Sequence, residues 1–360
     1  MSAAMANATL RTLRIGFMPL VDCAPLVAAV RLGLDRRHGL QFELQRQGSW
    51  AAVRDKLLSG ELDAAHALAG MVYGVETGIG GPQGQMAVLM VLNQNGQAIV
   101  LAPEAARRLR EGATLRDALG VPQRRPVLAQ TFPTGTHALW LYYWLAAQGV
   151  DPLHDIRAAT LPPPEMPGAL ARGEIEGFCA GEPWSAQAEA IGAGARVIRS
   201  GELWPGHPEK VLACRRQFAA LEPELATALT AAVLDACRWL DEDPQHRRQA
   251  AQWLAEDGII GLPVERLAAC LLPPSDAARG TGLRFHGDGE VNFPWLSDGR
   301  WFLHQFRRWG WLPADAAGDD ALLAEVHRID SYRLAALQVG VPLPRGETRR
   351  SVLFDGMRWE

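Results

Sequence analysis

The sequence predicts an α/β protein with two lobes, each a mostly parallel sheet flanked by helices. One reason is a strand–turn–helix unit that recurs along the chain. A second is residues 86–92, a near-continuous apolar run of the kind found in parallel strands covered on both faces. A third is the length of 360 residues, which exceeds one comfortable hydrophobic core and favours two lobes.

Residues 47–70 contain the recurring unit in full. Ser49 is a good N-cap, and apolar residues at helical spacing follow from Trp50 onward. Gly60 is placed as a C-cap, and the apolar run 64–68 predicts a buried strand. The predicted helix begins with a tryptophan whose indole N–H lies beside free backbone N–H groups. This arrangement suits a small anion.

The alternation of strands and helices restarts near residue 98, which divides the chain into four segments. The first lobe comprises residues 10–97 and a second, mainly helical segment, 211–348. The second lobe comprises residues 98–210, and residues 349–360 form an irregular, charged C-terminal tail. The aromatic residues within 295–311 predict either a partner surface or packing of a helix against a lobe. Packing is the more common case.

Composition argues against several classes of function. The net charge of −4 gives no reason to expect direct nucleic-acid binding. The five cysteines are odd in number and lack C-x-x-C spacing, which indicates small buried residues and neither a disulfide frame nor a metal site. No apolar run approaches the length of a membrane span, so no membrane association is expected. Residues 1–14 have no apolar core typical of a signal peptide, so we expect a cytoplasmic protein.

Four predicted helices start at a short turn that follows a strand. The turns are residues 22–25, 49–50, 134–137 and 181–184. In open parallel sheets such turns lie at the carboxyl ends of the strands, where ligands bind. Because two of the turns fall in each predicted lobe, facing sheets would direct several helix N-termini at one cleft. Helix N-termini favour an anion.

Single residues near these turns are candidate ligand donors, and each has an ordinary structural alternative. Trp50 could donate from its indole or serve as core, and His137 could donate a ring N–H or cap its helix. Lys210 is one of only two lysines among 36 basic residues. Its ammonium could reach the cleft or pair with the neighbouring carboxylate. Asn95 and Gln97 follow a strand, where such residues usually form a turn.

The common enzyme signatures are absent from the sequence. No G-x-x-x-x-G-K-[ST] P-loop is present, because neither lysine follows a glycine, and there is no G-x-S-x-G nucleophile elbow. Residues 286–290 (HGDGE) contain possible metal ligands but lack the required spacing, so we interpret them as a solvated turn. We therefore predict no catalytic residue, no cofactor and no bound metal, and a protein that is not an enzyme.

Seven stretches of the sequence resemble the nitrate/nitrite/bicarbonate-binding proteins of ABC importers. They are RIGFMPLVDCAPLV, GSWAAVRDKLLSGELDAAHALAGM, LNQNGQAI, TFPTGTHALWLYYWLAAQGVDP, FCAGEPWSAQA, WPGHPEKVLACR and FPWLSDGRWFLHQFRRWGW. The similarity covers nearly the whole chain. It implies a two-lobed, C-shaped periplasmic-binding-protein fold of type II, with an oxyanion held between the lobes.

The resemblance also implies which residues hold the ligand. In the nitrate-binding members, four sets of residues surround the anion: the S-W-A tryptophan, the polar residues of the L-N-x-x-G turn, the T-F-P-x-x-x-H histidine and the H-P-E-K lysine. In this sequence they fall on Trp50, on Asn95 or Gln97, on His137 and on Lys210. The choice between Asn95 and Gln97 stays open.

A cytoplasmic branch that resembles these proteins senses nitrate or nitrite. It holds an RNA-binding transcription antiterminator inactive until the anion binds. We expect such a sensor, with lobes that close about crossings near Ala98 and Ser200 and change the surface offered to the antiterminator. The alternative is the substrate-binding subunit of a nitrate or bicarbonate ABC importer, with its leader removed. A third, enzymatic alternative is a pyrimidine-precursor synthase of the same superfold, but no cysteine cluster or ordered general-base pair supports it.

Overall fold

Two lobes, each with its own sheet, make up the part of the chain that the structure describes. The computed structural model describes residues 10–121, 123–272 and 280–360. Residues 1–9 of the polar N-terminal stretch lie outside this description. Within the described ranges each lobe contains a sheet of five strands with helices packed against it. The predicted two-lobed α/β class is confirmed.

The elements follow one another in an alternating order until the second sheet is complete, and helices then dominate. The strands of the described residues are β1 (Arg11–Phe17), β2 (Leu40–Arg46), β3 (Ala64–Leu68), β4 (Met86–Gln94), β5 (Gln97–Leu101), β6 (Val127–Gln130), β7 (Arg157–Thr160), β8 (Gly177–Gly181), β9 (Ala195–Arg199), β10 (Pro208–Arg215), β11 (Ser351–Val352) and β12 (Arg358–Trp359). The α-helices are α1 (Ala24–Arg31), α2 (Leu34–Arg37), α3 (Trp50–Ser59), α4 (Ala69–Thr77), α5 (Pro103–Arg110), α6 (Leu115–Leu119), α7 (Thr136–Ala147), α8 (Met166–Ala171), α9 (Trp184–Ala190), α10 (Ser200–Leu203), α11 (Arg216–Leu221), α12 (Pro223–Glu242), α13 (Pro244–Leu254), α14 (Val264–Leu271), α15 (Leu296–Arg308), α16 (Asp319–Val326) and α17 (Ile329–Val339).

The two sheets are mixed in direction rather than mostly parallel. The first has the strand order β2-β1-β3-β10-β4, and the second has the order β7-β6-β8-β5-β9. β1 runs parallel to β2 and β3, whereas β10 runs antiparallel to β3 and β4. In the second sheet β6 runs parallel to β7 and β8, whereas β5 runs antiparallel to β8 and β9. β5 and β10 are the first strands after the chain crosses between lobes. They enter their sheets from the opposite direction for that reason.

The chain crosses between the lobes twice. The first crossing lies between β4, which ends at Gln94, and β5, which begins at Gln97. The second lies between β9 and β10 and contains the short helix α10. The sequence-based division after residue 210 falls inside β10, whose residues pair with β3 and β4 of the first sheet. The returning first-lobe segment therefore begins at Pro208 in the structure. Pairing with distant strands, and not local sequence, sets this position.

The aromatic residues of α15 pack against the second lobe. Trp301 is fully buried, and its ring centroid lies 4.6 Å from that of Trp140 on α7. The ring of Trp309, directly after α15, packs edge-on against the ring of Tyr142 on α7, with a distance of 5.8 Å between the ring centroids. Of the two interpretations of the aromatic stripe, the structure supports packing between a helix and a lobe.

The C-terminal segment forms a small hairpin where the sequence predicts an irregular tail. β11 and β12 pair in antiparallel register. Asp355, between the two strands, accepts a hydrogen bond of 2.7 Å from the hydroxyl of Tyr143, and Nε1 of Trp359 on β12 donates to the carbonyl of Ser297 at 2.7 Å. The hairpin therefore contacts α7 of the second lobe and α15 of the first.

The five cysteines are mostly buried, as their pattern in the sequence predicts. Four of the five cysteines are buried and Cys270 is half-buried, and all five, which lie in the described ranges, are free thiols. Among the described residues, no helix combines the length and the apolar character needed to cross a membrane.

Candidate functional site

Helix α3 starts and ends as its sequence predicts, and it buries Trp50. The side chain of Ser49 accepts a hydrogen bond of 3.2 Å from the backbone N–H of Ala52, and Gly60 ends the helix at a φ of +82°. That left-handed conformation favours glycine. Trp50 is 1% exposed, and its indole Nε1 has no hydrogen-bond partner among the described residues. Four other tryptophans of the described residues also have an indole N–H without a partner, so the nearby Lys210 ammonium, 5.6 Å from the ring centroid, is what marks Trp50 as a candidate donor.

Lys210 is fully buried on β10 and contacts two carboxylates. Its Nζ donates a hydrogen bond of 2.9 Å to Oδ2 of Asp22 and a second hydrogen bond to Oε1 of Glu209. Burial lowers the pKa of Lys210, but the two carboxylates outweigh burial and the net pKa is raised. The side chain is therefore a charged ammonium inside the protein. It lies 5.6 Å from the ring centroid of Trp50.

Asp22, in the turn after β1, also forms a hydrogen bond with His66 of β3. Oδ1 of Asp22 lies 2.7 Å from Nε2 of His66, and the backbone N–H of Met18 donates to Nδ1 of the same ring at 3.4 Å. Nδ1 is thus the acceptor, and Nε2 carries the proton donated to Asp22. Burial raises the pKa of Asp22, but Lys210 and His66 outweigh burial and the net pKa lies below its ordinary value. Asp22 is a buried counter-charge and makes no side-chain cap for α1.

His137 is the second residue of α7 and is fully buried. Its Nδ1 lies 2.6 Å from Oγ1 of Thr131. Its Nε2 lies 3.6 Å from Oε1 of Glu209 and has no hydrogen-bond partner in the described part of the chain. Burial, together with the positive charge of Lys210, lowers the pKa of His137 well below its ordinary value. The ring is therefore neutral. In the tautomer in which Nδ1 accepts from the Thr131 hydroxyl, the Nε2–H group is available as a donor.

Two hydrogen bonds connect Gln97 to Glu209 across the lobes. Nε2 of Gln97 donates to Oγ1 of Thr136 at 3.3 Å, and the Thr136 hydroxyl donates to Oε1 of Glu209 at 2.9 Å. Oε1 of Gln97 and Oε2 of Glu209 are both buried without a hydrogen-bond partner among the described residues. Gln97 is therefore part of the same polar cluster as Lys210 and His137.

The side chain of Asn95 forms hydrogen bonds with backbone groups at the crossing between the lobes. Its φ is +62°, a conformation that asparagine tolerates better than most residues. Its Nδ2 donates to the carbonyls of Gly280 and Gly282, at 3.1 and 2.8 Å, and its Oδ1 accepts from the N–H of Gly206 at 3.0 Å. With its amide engaged in this way, Asn95 does not join the polar cluster, and the geometry favours Gln97 of the two alternatives.

Contacts between the lobes enclose the cluster. The backbone N–H of Val21 donates to the carbonyl of Glu182 at 2.9 Å. A Cβ atom at Gly70 would lie 2.3 Å from the carbonyl oxygen of Thr134, so a glycine is required for this close approach. Gly70 lies on α4 of the first lobe, and Thr134 precedes α7 of the second. The lobes are therefore closed upon each other around the cluster.

A cavity of about 300 Å³ lies beside the cluster. Its lining includes Gly96, Gln97, Glu182, Arg196, Arg199 and Cys270, whereas Trp50, His137 and Lys210 do not line it. Within residues 10–121, 123–272 and 280–360, no group of three or more His, Cys, Asp or Glu side chains is arranged to hold a metal ion. The predicted residues Trp50, His137 and Lys210 lie in the enclosed polar cluster and not in this cavity, so the cluster is the candidate site.

The structure brings together four of the five residues predicted for the site. Lys210 supplies a positive charge, and Trp50 and His137 supply buried N–H groups without partners. Gln97 joins through its hydrogen bond to Thr136, and Asn95 stays apart. A cation with neutral N–H donors, shielded from water, can bind a small anion.

Four further members of the cluster were not predicted as site residues. They are the counter-charge Asp22, its partner His66, Thr136 and Glu209. His66 stands alone as a polar residue in the apolar run of β3, and Asp22 follows an apolar strand. Polar residues in such surroundings are a signal for a buried pair, although sequence does not say which residues pair.

Two α/β lobes closed over a buried polar cluster define a two-lobed ligand-binding protein of the periplasmic-binding-protein type. Residues 6–255 match the NMT1-like family, and the chain belongs to that family. It is 32% identical to the nitrate/nitrite binding protein NrtA of Synechocystis sp. PCC 6803, over 97% of this chain and 82% of NrtA.

The crystal structure of the periplasmic nitrate-binding protein NrtA from Synechocystis PCC 6803 has the same fold. Its TM-score with this chain is 0.91 at 32% identity, and the match covers 97% of this chain and 95% of that one. The chain is also 35% identical to the nitrate import ATP-binding protein NrtC of Synechocystis sp. PCC 6803, over 96% of this chain. It spans about half of that relative, 53% of its length.

Proposed function

We propose that this protein is the substrate-binding subunit of an ABC importer for nitrate or nitrite. The observation that carries the proposal is the buried, charged Lys210, with the unpartnered N–H groups of Trp50 and His137 in the same cluster. Similarity to NrtA, at 32% identity and a TM-score of 0.91, supports the same class of ligand. These relatives are named as binding proteins, which agrees with a role that involves no catalysis.

The donors suit a small, flat, singly charged oxyanion. Lys210 is a compact point charge, whereas an arginine would present a broad planar fork. Trp50 and His137 each donate one N–H without adding charge. Gln97 uses one N–H of its amide for Thr136 and retains a second. Nitrate accepts hydrogen bonds weakly, so several donors and one cation together are needed to replace its water.

Binding is coupled to closure of the lobes. The donors come from both lobes, because Trp50 and Lys210 belong to the first and Gln97 and His137 to the second. An anion that contacts all of them therefore binds the closed form better than the open form. It shifts the equilibrium toward closure by that difference in affinity and no more.

Titration calorimetry with nitrate, nitrite, bicarbonate and sulfate tests the proposal. We expect nitrate and nitrite to bind, and sulfate to bind more weakly because its second charge would lie near Asp22 and Glu209. Failure of both nitrate and nitrite to bind would overturn the proposal. Binding of bicarbonate alone would replace it with a bicarbonate-binding subunit.

The nitrate/nitrite sensor, its antiterminator partner and its cytoplasmic location stay predictions. The relatives named above are transport proteins, and this similarity favours the importer subunit. Co-purification from the native host separates the two functions. An importer subunit is recovered with membrane and ATP-binding components, and a sensor with an RNA-binding protein.

A further inference from the structure

Glu209 is a buried carboxylate at the centre of the site. Its Oε1 accepts hydrogen bonds from Nζ of Lys210 and, at 2.9 Å, from the hydroxyl of Thr136, and it lies 3.6 Å from Nε2 of His137. Its Oε2 is buried and has no hydrogen-bond partner among the described residues. Two of the groups proposed to hold the anion therefore already face a carboxylate of the same charge as nitrate.

The cluster contains two carboxylates for one ammonium. Burial raises the pKa of Asp22, but Lys210 and His66 lower it by more, so Asp22 stays ionised near neutral pH. Burial lowers the pKa of Lys210, but the two carboxylates raise it by more, so Lys210 stays protonated. With Glu209 ionised, these three side chains sum to one negative charge before any ligand arrives. A bound monoanion would add a second where water does not screen the repulsion.

The other titratable groups near Glu209 keep one charge state around neutral pH. Burial lowers the pKa of His66 on β3 and of His137 on α7, and it lowers that of His207, before β10, to about 3. Burial raises the pKa of the Cys179 thiol on β8, and the charge of Glu209 adds to this effect. All four side chains are therefore neutral. If the charge of the site changes near neutral pH, the group that gains or loses the proton is therefore Glu209.

We propose that Glu209 takes up a proton when nitrate or nitrite binds, so that a neutral carboxylic acid, and not a carboxylate, lies beside the anion. This inference rests on the proposed function, because it concerns the same site. The proton removes one negative charge and turns an acceptor into an O–H donor. Burial raises the pKa of Glu209 to about 7, against the charge of Lys210, so the proton is readily gained near neutrality.

The consequence is an affinity that depends on pH with a defined slope. At pH values where Glu209 is ionised in the free protein and protonated in the complex, binding of the anion takes up about one proton. The affinity then falls about tenfold for each unit rise in pH. Below the pKa of free Glu209 the carboxyl group is already neutral, so the proton uptake and the slope both approach zero. The residue thereby sets the pH range in which the protein loads its ligand.

Calorimetric titration with nitrate, from about pH 6 to about pH 9 in buffers of different ionisation enthalpy, measures the proton uptake directly. The full chain is compared with Glu209→Gln, which mimics the neutral acid, and with Glu76→Gln. Glu76 is a matched control, because burial also raises its pKa, and it bonds to Met86 and Arg216 in the first lobe.

We expect the unmodified chain to take up about one proton at about pH 8.5, and Glu209→Gln to take up none and to keep a flat affinity. Glu76→Gln should follow the unmodified chain. Nitrate binding by the unmodified chain without proton uptake would overturn this inference and leave the proposed function intact. The absence of nitrate and nitrite binding at every pH would instead overturn the proposed function. If Glu209→Gln does not fold, the buffer dependence of the unmodified chain still decides the matter.

Discussion

Nζ of Lys210 lies 2.9 Å from Oδ2 of Asp22, and both side chains are shielded from solvent. The pair joins the turn after the first strand to the strand that returns from the second lobe. Because a buried charge without a partner is expensive, each member requires the other for the fold to be stable. The arrangement places a permanent positive charge inside the cleft, where it can act on a ligand.

The first prediction concerns the two lysines. Lys210→Met should weaken nitrate binding by roughly tenfold to a hundredfold, because a charge-assisted hydrogen bond is lost. It should also destabilise the protein by about 3–5 kcal/mol, since Asp22 would be left as a buried charge without its cation. Calorimetry and urea denaturation measure the two effects.

Lys56→Met is the matched control for this change. Lys56 lies half-buried on α3, and its removal should leave both nitrate affinity and stability near those of the unmodified chain. The double variant Asp22→Asn/Lys210→Met should recover part of the stability without recovering the affinity. Nitrate affinity equal in Lys210→Met and the unmodified chain would remove Lys210 from the site.

The second prediction separates Gln97 from Asn95. Gln97→Ala should reduce nitrate affinity by roughly tenfold, the value of one hydrogen bond to an anion, with little loss of stability. Asn95→Ala should instead reduce stability by about 2–4 kcal/mol. It removes the bonds to Gly206, Gly280 and Gly282 and places an alanine at a φ of +62°. The reverse pattern, with affinity lost only in the Asn95 variant, would assign the ligand amide to Asn95.

The third prediction concerns stability in acid. Burial lowers the pKa of His327 to about 4, against a hydrogen bond to the carbonyl of Pro294. Its ordinary value is 6.5, so between the two values the unfolded chain binds more protons than the folded one. The contribution of His327 to stability is complete above pH 6.5 and is lost as the pH falls toward 4, by up to about 1.4 kcal/mol per pH unit.

Urea denaturation at a series of pH values tests this effect. His327→Gln should reduce the slope of unfolding free energy against pH by about one proton over that range. An unchanged slope in His327→Gln would show that this histidine does not titrate abnormally.

Much of the local structure could be predicted because it depends on neighbours in sequence. Ser49 caps α3 and Gly60 ends it as the pattern indicates, and the apolar run 64–68 forms β3 at full length. Caps, turns and periodic apolar residues act within about ten residues, so a single sequence contains the information.

Long-range pairing explains what could not be predicted. Asp22 lies 44 residues from His66 and 188 from Lys210, and only the folded sheet brings the three together. Local sequence places Asp22 in the turn before a predicted helix, where aspartate commonly caps the helix. Its actual role depends on which strands become neighbours.

By itself the sequence determined the α/β class, the two lobes, the helix starts around the cleft and three residues that the fold gathers there. Tertiary structure alone decided the strand directions of β5 and β10, the choice of Gln97 over Asn95 within the cluster, and the pairing of Lys210 with Asp22. The physical reason is that backbone preferences are local, whereas burial and charge pairing arise when segments far apart in the chain exclude water between them.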